Sequence, residues 1–171
     1  FKQVAVDQTS EQRRRYDLAE VVDEVIATLQ PRLRKRPLQI DVDLAPGMAM
    51  DGYPGPLGQV LTNLVMNAAL HGLRERAGRI AVSARPAGTD AVRLAVEDDG
   101  VGIAPEHLPR LFDPFFTTRL GEGGSGLGLH ICYSLVHRTL GGRIDVDSAP
   151  GGGARFTLTL PRVAPVPSPP A

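Results

Sequence analysis

Two asparagines and a histidine are spaced so that one helix would bring them to the same face. Asn63, Asn67 and His71 lie at i, i+4 and i+8 in an otherwise apolar segment, and residues four apart are neighbours on a helix. Asparagine is a poor helix-interior residue because its side chain competes for backbone hydrogen bonds. Its neutral amide oxygen suits Mg²⁺ when a nucleotide supplies the other ligands. The segment indicates a metal or nucleotide contact; a pair of solvated amides is the alternative.

A second candidate is an acidic residue at the end of a predicted strand, followed by closely spaced glycines. Asp98 ends that strand, and Gly100 and Gly102 follow it. Glycine allows the backbone to approach a ligand closely, and a carboxylate can accept a hydrogen bond from the exocyclic amine of adenine. An ordinary turn that begins at an aspartate is the alternative interpretation.

A third candidate is a glycine-rich segment that leads into a predicted helix. Residues 121–128 contain five glycines, which suits a loop whose backbone N–H groups meet a phosphate at a helix N-terminus. No Gly-Lys-Ser/Thr follows, so the segment is not a P-loop. Gly121, Gly123 and Gly126 match the dinucleotide-binding spacing, but Pro114 and a polar stretch precede them where a buried strand would be required. We therefore reject that alternative.

Three phenylalanines stand beside a proline just before the glycine-rich segment. Phe112, Phe115 and Phe116 flank Pro114 in a predicted loop. Such a group is typical of a small satellite core, and it could equally hinge or anchor a mobile lid.

The elements that must position these residues are predicted by apolar periodicity. Asp17 is a predicted N-cap, and Gly72 is the predicted end of the helix that carries the asparagines. The predicted helices cover residues 18–33, 57–71, 105–111 (short) and 126–140. The predicted strands cover residues 38–44, 48–51, 78–85, 91–98, 143–148 and 154–160. Tight connections predict a largely antiparallel sheet, and three long helices on one face predict a two-layer α/β sandwich.

The bulk composition excludes some partners. The 19 basic and 19 acidic residues cancel, so no global charge attracts nucleic acid or an anionic membrane, and we expect contact with neither. No apolar run approaches the ~20 residues of a membrane span. The single cysteine, Cys132, is predicted to be a buried structural thiol. These features fit a cytoplasmic compartment and leave open whether a longer parent protein is anchored in the inner membrane.

Taken together, in this order and spacing, the four signals resemble the N, G1, F and G2 boxes of bacterial sensor histidine kinases. The resemblance covers about residues 16–160 and implies the Bergerat ATP-binding fold, a mixed, mostly antiparallel sheet against three helices. It implies that the γ-phosphoryl of ATP is transferred to a histidine on a separate dimerisation domain in two-component signalling. It also implies ATP and Mg²⁺ as cofactors, a homodimeric parent protein and a response regulator as partner.

The resemblance also assigns residue roles. Asn67 resembles the catalytic asparagine that binds Mg²⁺, Asp98 resembles the acid that holds the adenine amine, and residues 112–124 resemble the ATP lid. The remaining implied nucleotide-binding residues are Asn63, His71, Gly100, Gly102, Thr118, Gly124, Gly126, Leu127 and Gly128. The chain departs from the family at Leu70, where many members carry a cation, and Arg119 is a candidate substitute.

The ends of the chain predict its domain organisation. Residues 1–15 are interpreted as a linker from an absent dimerisation domain and residues 16–160 as the ATP-binding catalytic domain. Residues 161–171 contain five prolines and are predicted to be disordered or extended. None of the histidines resembles the family's phosphoacceptor, so we expect the isolated fragment not to phosphorylate itself. Those histidines are His71, His107, His130 and His137.

Three alternatives to the histidine kinase are open from the sequence. A serine-directed anti-sigma kinase or a branched-chain ketoacid dehydrogenase kinase shares the fold. A related ATPase would normally need a catalytic Glu near the first asparagine, where the chain has Leu61 and Thr62. A degenerate module that docks a partner without nucleotide turnover is the third.

Overall fold

The computed structural model describes residues 12–116 and 128–167. The strands in these ranges are β1 (Arg14–Asp17), β2 (Leu38–Leu44), β3 (Ala49–Gly52), β4 (Gly78–Ala87), β5 (Ala91–Asp98), β6 (Arg143–Ser148) and β7 (Ala154–Pro161). The α-helices are α1 (Leu18–Leu33), α2 (Pro54–Asn67) and α3 (Gly128–Ser134). Helix α2 continues as a π-helical turn (Ala68–Leu73), α3 continues as another (Leu135–Thr139), and Leu108–Arg110 form a 3-10 turn.

Five strands form the main sheet in the order β2-β4-β5-β7-β6. Only β2 and β4 pair in parallel, and the other three pairings are antiparallel. The helix-facing rows are apolar and buried, as where Val82 lies opposite Val96 and Val96 opposite Phe156. The other face carries exposed ion pairs such as Arg155–Glu97 at 3.1 Å, which contribute little stability. The predicted two-layer α/β sandwich is confirmed.

Helix α1 matches its prediction at both ends. The Asp17 carboxylate accepts the Ala19 N–H at 2.9 Å and caps the helix. The apolar stripe is buried from Leu18 to Leu33, and it is this packing that carries the helix through Pro31. Burial against the sheet therefore outweighs the backbone bond that the proline removes.

Helix α2 differs from its prediction at both ends. It begins at Pro54 and not at residue 57, because prolines fit the first helical turn, where N–H groups have no partner anyway. At the other end the predicted stop at Gly72 is wrong. The chain leaves the α-helix at Asn67, the Ala68 N–H is shared between the carbonyls of Leu64 and Val65, and π winding carries the chain on to Leu73.

Of the two other predicted helices, one is shorter than expected. The helix predicted over 105–111 is only the 3-10 turn Leu108–Arg110, in a segment interrupted by two prolines. The helix predicted over 126–140 has its first two residues outside the described ranges. Its last turn is π-wound and ends before Gly141, which takes a φ of 72° as the predicted terminator.

Both flanks of the domain pair with β3, which the sequence did not predict. Residues 14–17, of which 14 and 15 were assigned to a linker, form β1 and pair antiparallel with β3. On the other edge of β3, the Asp51 N–H donates to the Arg162 carbonyl at 2.7 Å and the Ala164 N–H donates to the Asp51 carbonyl at 2.9 Å. The tail is thus paired at least as far as Ala164, so residues 161–164, which were predicted to be disordered or extended, are extended and hydrogen-bonded to β3.

An arginine joins the two flanks across β3. Arg13 pairs with the Asp51 carboxylate at 3.2 Å and donates to the Pro165 carbonyl at 3.4 Å. The Tyr53 hydroxyl also donates to the Pro165 carbonyl at 3.4 Å. Ala164 is buried against Gly52, whereas its neighbour Val163 is 62% exposed. The segment therefore contributes to the domain's packing.

We expect Ala164→Asp to lower the unfolding temperature by about 5 °C or more, because it buries a charge in a close-packed position. Val163→Asp is the matched control, since it adds the same charge one residue earlier on an exposed side chain, and it should shift the temperature by only about 1 °C. The comparison is made by thermal denaturation. Equal shifts for the two variants would show that the tail does not pack as described.

Candidate functional site

Asp98 is a buried carboxylate at the end of β5. Its residue is only 5% exposed, its Oδ1 accepts the Gly100 N–H at 2.9 Å, and the Ala154 N–H is a second backbone donor. Burial raises the pKa of Asp98 above its ordinary value, and the nearby Asp99 and Glu97 charges raise it further, while the two backbone donors oppose the rise. The carboxylate is therefore held in place by two backbone donors from separate elements.

The loop after Asp98 is fixed between α2 and the β6–β7 turn. The Val101 N–H donates to the Gly72 carbonyl at 2.9 Å, and the Ile103 N–H donates to Ser148 Oγ at 2.8 Å. A side chain at Gly100 would collide with the Gly72 carbonyl, and one at Gly102, where φ is 75°, would collide with the backbone at residue 149. Both glycines are thus required by the packing of the loop itself, and their contact with a base stays a prediction.

Asn67 stands where α2 passes into its π-helical turn. Its side chain is half-buried, and within residues 12–116 and 128–167 its amide forms no hydrogen bond. A neutral oxygen ligand with no partner among the described residues fits a Mg²⁺ ion that takes most of its ligands from phosphates and water. A π-helical turn of this kind frequently marks a functional site.

Asn63 contacts the next helix. Its Nδ2 donates to the Gly128 carbonyl at 3.4 Å. A hydrogen bond from its side chain to Cys132 partly offsets the rise in the pKa of that thiol. The Cys132 thiol is fully buried, donates to the Val60 carbonyl at 3.7 Å, and has its pKa raised to about 12 by burial, which fits the predicted structural thiol. Asn63 therefore connects α2 to the start of α3, and its contact with metal or phosphate stays a prediction.

The predicted set of Asn63, Asn67 and His71 spans two kinds of helix. Asn63 and Asn67 lie four residues apart on α2, and His71 lies in the π-helical turn that continues it. His71 is half-buried and Leu70 is 39% exposed. The face shared by all three side chains stays a prediction.

The phenylalanines divide into packed and exposed members. The centroid of the Phe112 ring lies 5.5 Å from that of Tyr133 and 6.3 Å from that of Phe156. Phe112 thus packs against the main core, and the prediction of a separate satellite core is wrong for this residue. The Arg110 guanidinium carbon lies 4.6 Å from the centroid of the Phe116 ring. Phe115 is instead 71% exposed, and its backbone has a φ of 65°. The chain thus enters the predicted lid through an aromatic anchor.

Some predicted site residues lie outside the described residues. These are Thr118, Gly124, Gly126 and Leu127, and the proposed substitute cation Arg119. Gly128 is the exposed first residue of α3, and its role toward phosphates stays a prediction.

Two glycines beside Asp98 were not predicted as site residues. Gly72 was interpreted only as a helix end, and Gly153 only as part of a turn. A side chain at Gly153 would collide with the Asp98 carbonyl, and one at Gly72 would collide with the Asp98 carboxyl group. Spacing along the chain gives no signal for such contacts, because they join three separate elements.

Comparison with known families decides the class of this site. Residues 52–164 match the family described as histidine kinase-, DNA gyrase B- and HSP90-like ATPases. The chain belongs to this ATPase family. The matched region includes α2, Asp98 and its loop, and the β6–β7 turn.

Two sensor histidine kinases are among the similar proteins. ZraS of Salmonella typhimurium is 45% identical over 111 residues, covering 65% of this chain and 23% of ZraS. RcsC of Escherichia coli K12 is 34% identical over 167 residues, covering 94% of this chain and 17% of RcsC. The chain thus spans about a quarter or less of the length of these relatives.

Solved structures of histidine kinases share the fold. The nucleotide-free catalytic domain of ThkA matches with a TM-score of 0.78 and 27% identity, covering 89% of this chain and 99% of that one. ThkA in complex with the response regulator TrrA matches at 0.74 and 26%, covering 88% and 42%. Full-length ShkA with AMPPNP matches at 0.79 and 25%, covering 96% and 36%. The ATPase domain described here is therefore of the histidine kinase type.

No helix in residues 12–116 or 128–167 combines the length and apolar character that crossing a bilayer requires.

The raised pKa of Asp98 predicts a pH-dependent stability difference. Between its unfolded and folded pKa values the native state holds more protons, so this group's stabilising contribution, present at low pH, is lost as pH rises through the folded pKa. Asp98→Asn has no proton to release. Relative to the unsubstituted chain, its free energy of unfolding should therefore increase, and the variant should become relatively more stable, as pH rises above the ordinary aspartate pKa of about 4.

Urea denaturation at several pH values measures this difference. Asp23→Asn on the exposed side of α1 is the control for the loss of an exposed carboxylate. A difference for Asp98→Asn that falls as pH rises would mean that the folded protein favours the charged form.

Proposed function

We propose that this chain is the catalytic domain of a sensor histidine kinase and presents the γ-phosphoryl of ATP to a histidine on a separate dimerisation domain. The observation that carries the proposal is the buried, backbone-bonded carboxylate of Asp98 in the ATP-binding fold of this family. The similarity to sensor histidine kinases along most of the chain supports the same reaction class.

The chain's own residues suit the positioning role that phosphoryl transfer requires. Asp98 accepts a hydrogen bond from the exocyclic amine of adenine, and the loop at Gly100 holds the carboxylate in place. Asn67 would hold Mg²⁺ through its amide oxygen, and the ion would supply charge neutralisation at the phosphates. The glycine-rich segment before α3 would offer backbone N–H groups to the phosphates.

The remaining partners follow from the relatives. ThkA has been solved in complex with a response regulator, and ShkA with AMPPNP, which supports a response regulator and an adenine nucleotide as partners of this chain's parent protein. The parent would be a homodimer through its dimerisation domain, with this domain in the cytoplasm. Exposed Leu70 stands where a cation is common, so we propose that Arg119 contributes the missing charge.

Calorimetric titration with AMPPNP, with and without Mg²⁺, tests the two assigned residues. The unsubstituted domain should bind AMPPNP in the presence of Mg²⁺ with a free energy of roughly −7 to −8 kcal/mol. Asp98→Ala should weaken binding by about 100-fold, since it removes a charged acceptor from a buried site. Asn67→Ala should instead abolish the strengthening by Mg²⁺.

Gln39→Ala, on the exposed side of β2, is the control for these titrations and should bind like the parent. No detectable binding by the parent at millimolar nucleotide would overturn the proposal. It would favour the docking-module alternative.

The phosphoacceptor is tested with γ-labelled ATP. The isolated chain should acquire no label, because none of its histidines resembles the acceptor. The full-length parent protein should acquire label that is stable in alkali and lost in acid, as expected for phosphohistidine. Acid-stable label would instead point to the serine-directed kinases that share the fold.

A further inference from the structure

Gly72 is a glycine that its own backbone does not require. It lies inside the π-helical turn of α2 and is absent from the glycines with positive φ. Alanine would therefore suit the local conformation and has a higher helix propensity than glycine. The reason for a glycine must lie in the surroundings of this position.

The three atoms nearest to a side chain at this position belong to one residue, Asp98. A Cβ atom at residue 72 would lie 2.6 Å from Asp98 Cγ, 2.6 Å from Oδ2 and 2.7 Å from Oδ1. Real Cβ atoms essentially never come within 3.0 Å of a heavy atom that lies outside their own residue and its chain neighbours. The carboxyl group of Asp98 thus fills the space that any side chain at residue 72 would need.

Neither partner can move aside freely. The Asp98 side chain is short and buried, and it is bonded by the N–H groups of Gly100 and Ala154. The Gly72 backbone is held in place because its carbonyl accepts a hydrogen bond from the Val101 N–H. The adjacent Leu73 is buried, with only 1% of its surface exposed. A methyl group at residue 72 would therefore displace the carboxyl group from its backbone donors.

We propose that Gly72 is a positioning residue that sets the place of the Asp98 carboxylate and thereby the recognition of the adenine amine. The proposal rests on the proposed ATP-binding role of Asp98. Hydrogen-bond acceptors in binding sites must be held to within about 0.5 Å of their working position. The displacement that a Cβ at residue 72 imposes is of this order.

The nucleotide test compares ATP with purine riboside triphosphate, which lacks the exocyclic amine. The ratio of their dissociation constants measures the bond from the amine to Asp98, and in the parent it should be about tenfold or more in favour of ATP. Gly72→Ala should bring the ratio close to one by weakening ATP alone. Gly58→Ala on the same helix is the matched control, because its Cβ would meet nothing closer than 3.8 Å, and it should keep the parent's ratio.

The second test needs no nucleotide. The test is a double-mutant cycle in which urea denaturation measures the free energy of unfolding. Gly72→Ala should lower this free energy in the unsubstituted domain. In the Asp98→Ala background the same change should lower it clearly less, because the methyl group then enters vacated space. This result separates contact with the carboxyl group from a general loosening of the turn.

The outcomes distinguish this inference from the proposed function. A parent that does not prefer ATP over the analogue refutes the adenine role of Asp98. The proposal for Gly72 is wrong if Gly72→Ala keeps the parent's preference or weakens both nucleotides equally. Additive destabilisation in the cycle would likewise overturn it.

Discussion

A carboxylate buried at the end of a strand must be held by backbone donors, and around Asp98 this requirement shapes several elements at once. The loop after β5 turns back so that the Gly100 N–H reaches the carboxylate. The start of β7 supplies a second donor from Ala154, and the turn before it accommodates the Asp98 carbonyl only because residue 153 is glycine. One buried side chain thus brings together elements that are distant in the chain. A carboxylate is rarely buried in a hydrophobic core, because its burial must be compensated by hydrogen bonds.

The end of α2 also packs against the buried carboxyl group of Asp98. Its α-helical part ends at Asn67, and the π-helical turn lets the chain continue over Asp98 with the Gly72 carbonyl turned toward the Val101 N–H. A straight helix that stopped at residue 72 would not make this connection. Asn67, whose amide has no hydrogen bond among the described residues, precedes this irregular segment, and Gly72 within it lies against the Asp98 carboxyl group. Irregular helical turns of this kind frequently occur at functional sites.

The sequence predicted what depends on local chemistry and periodicity. The Asp17 cap and the bounds of α1, β2 and β5 follow from side-chain preferences that act within a few residues. The π winding after Asn67 and the pairing of Asp51 with residues 162–164 could not be predicted, because they depend on contacts between distant segments. The site residues show the same division: Asp98 and Asn67 stand out by type and position, whereas Gly72 gains its meaning only from what lies against it.

The small sheet around β3 has a consequence for protein engineering. Residues 13 and 165 leave the domain at the same corner, joined through Arg13, so the entry and exit of the chain are adjacent. Domains with adjacent ends can be inserted into a surface loop of a host protein without stretching either partner. Residues 12–167 therefore form a cassette that could couple nucleotide binding to the conformation of an unrelated scaffold.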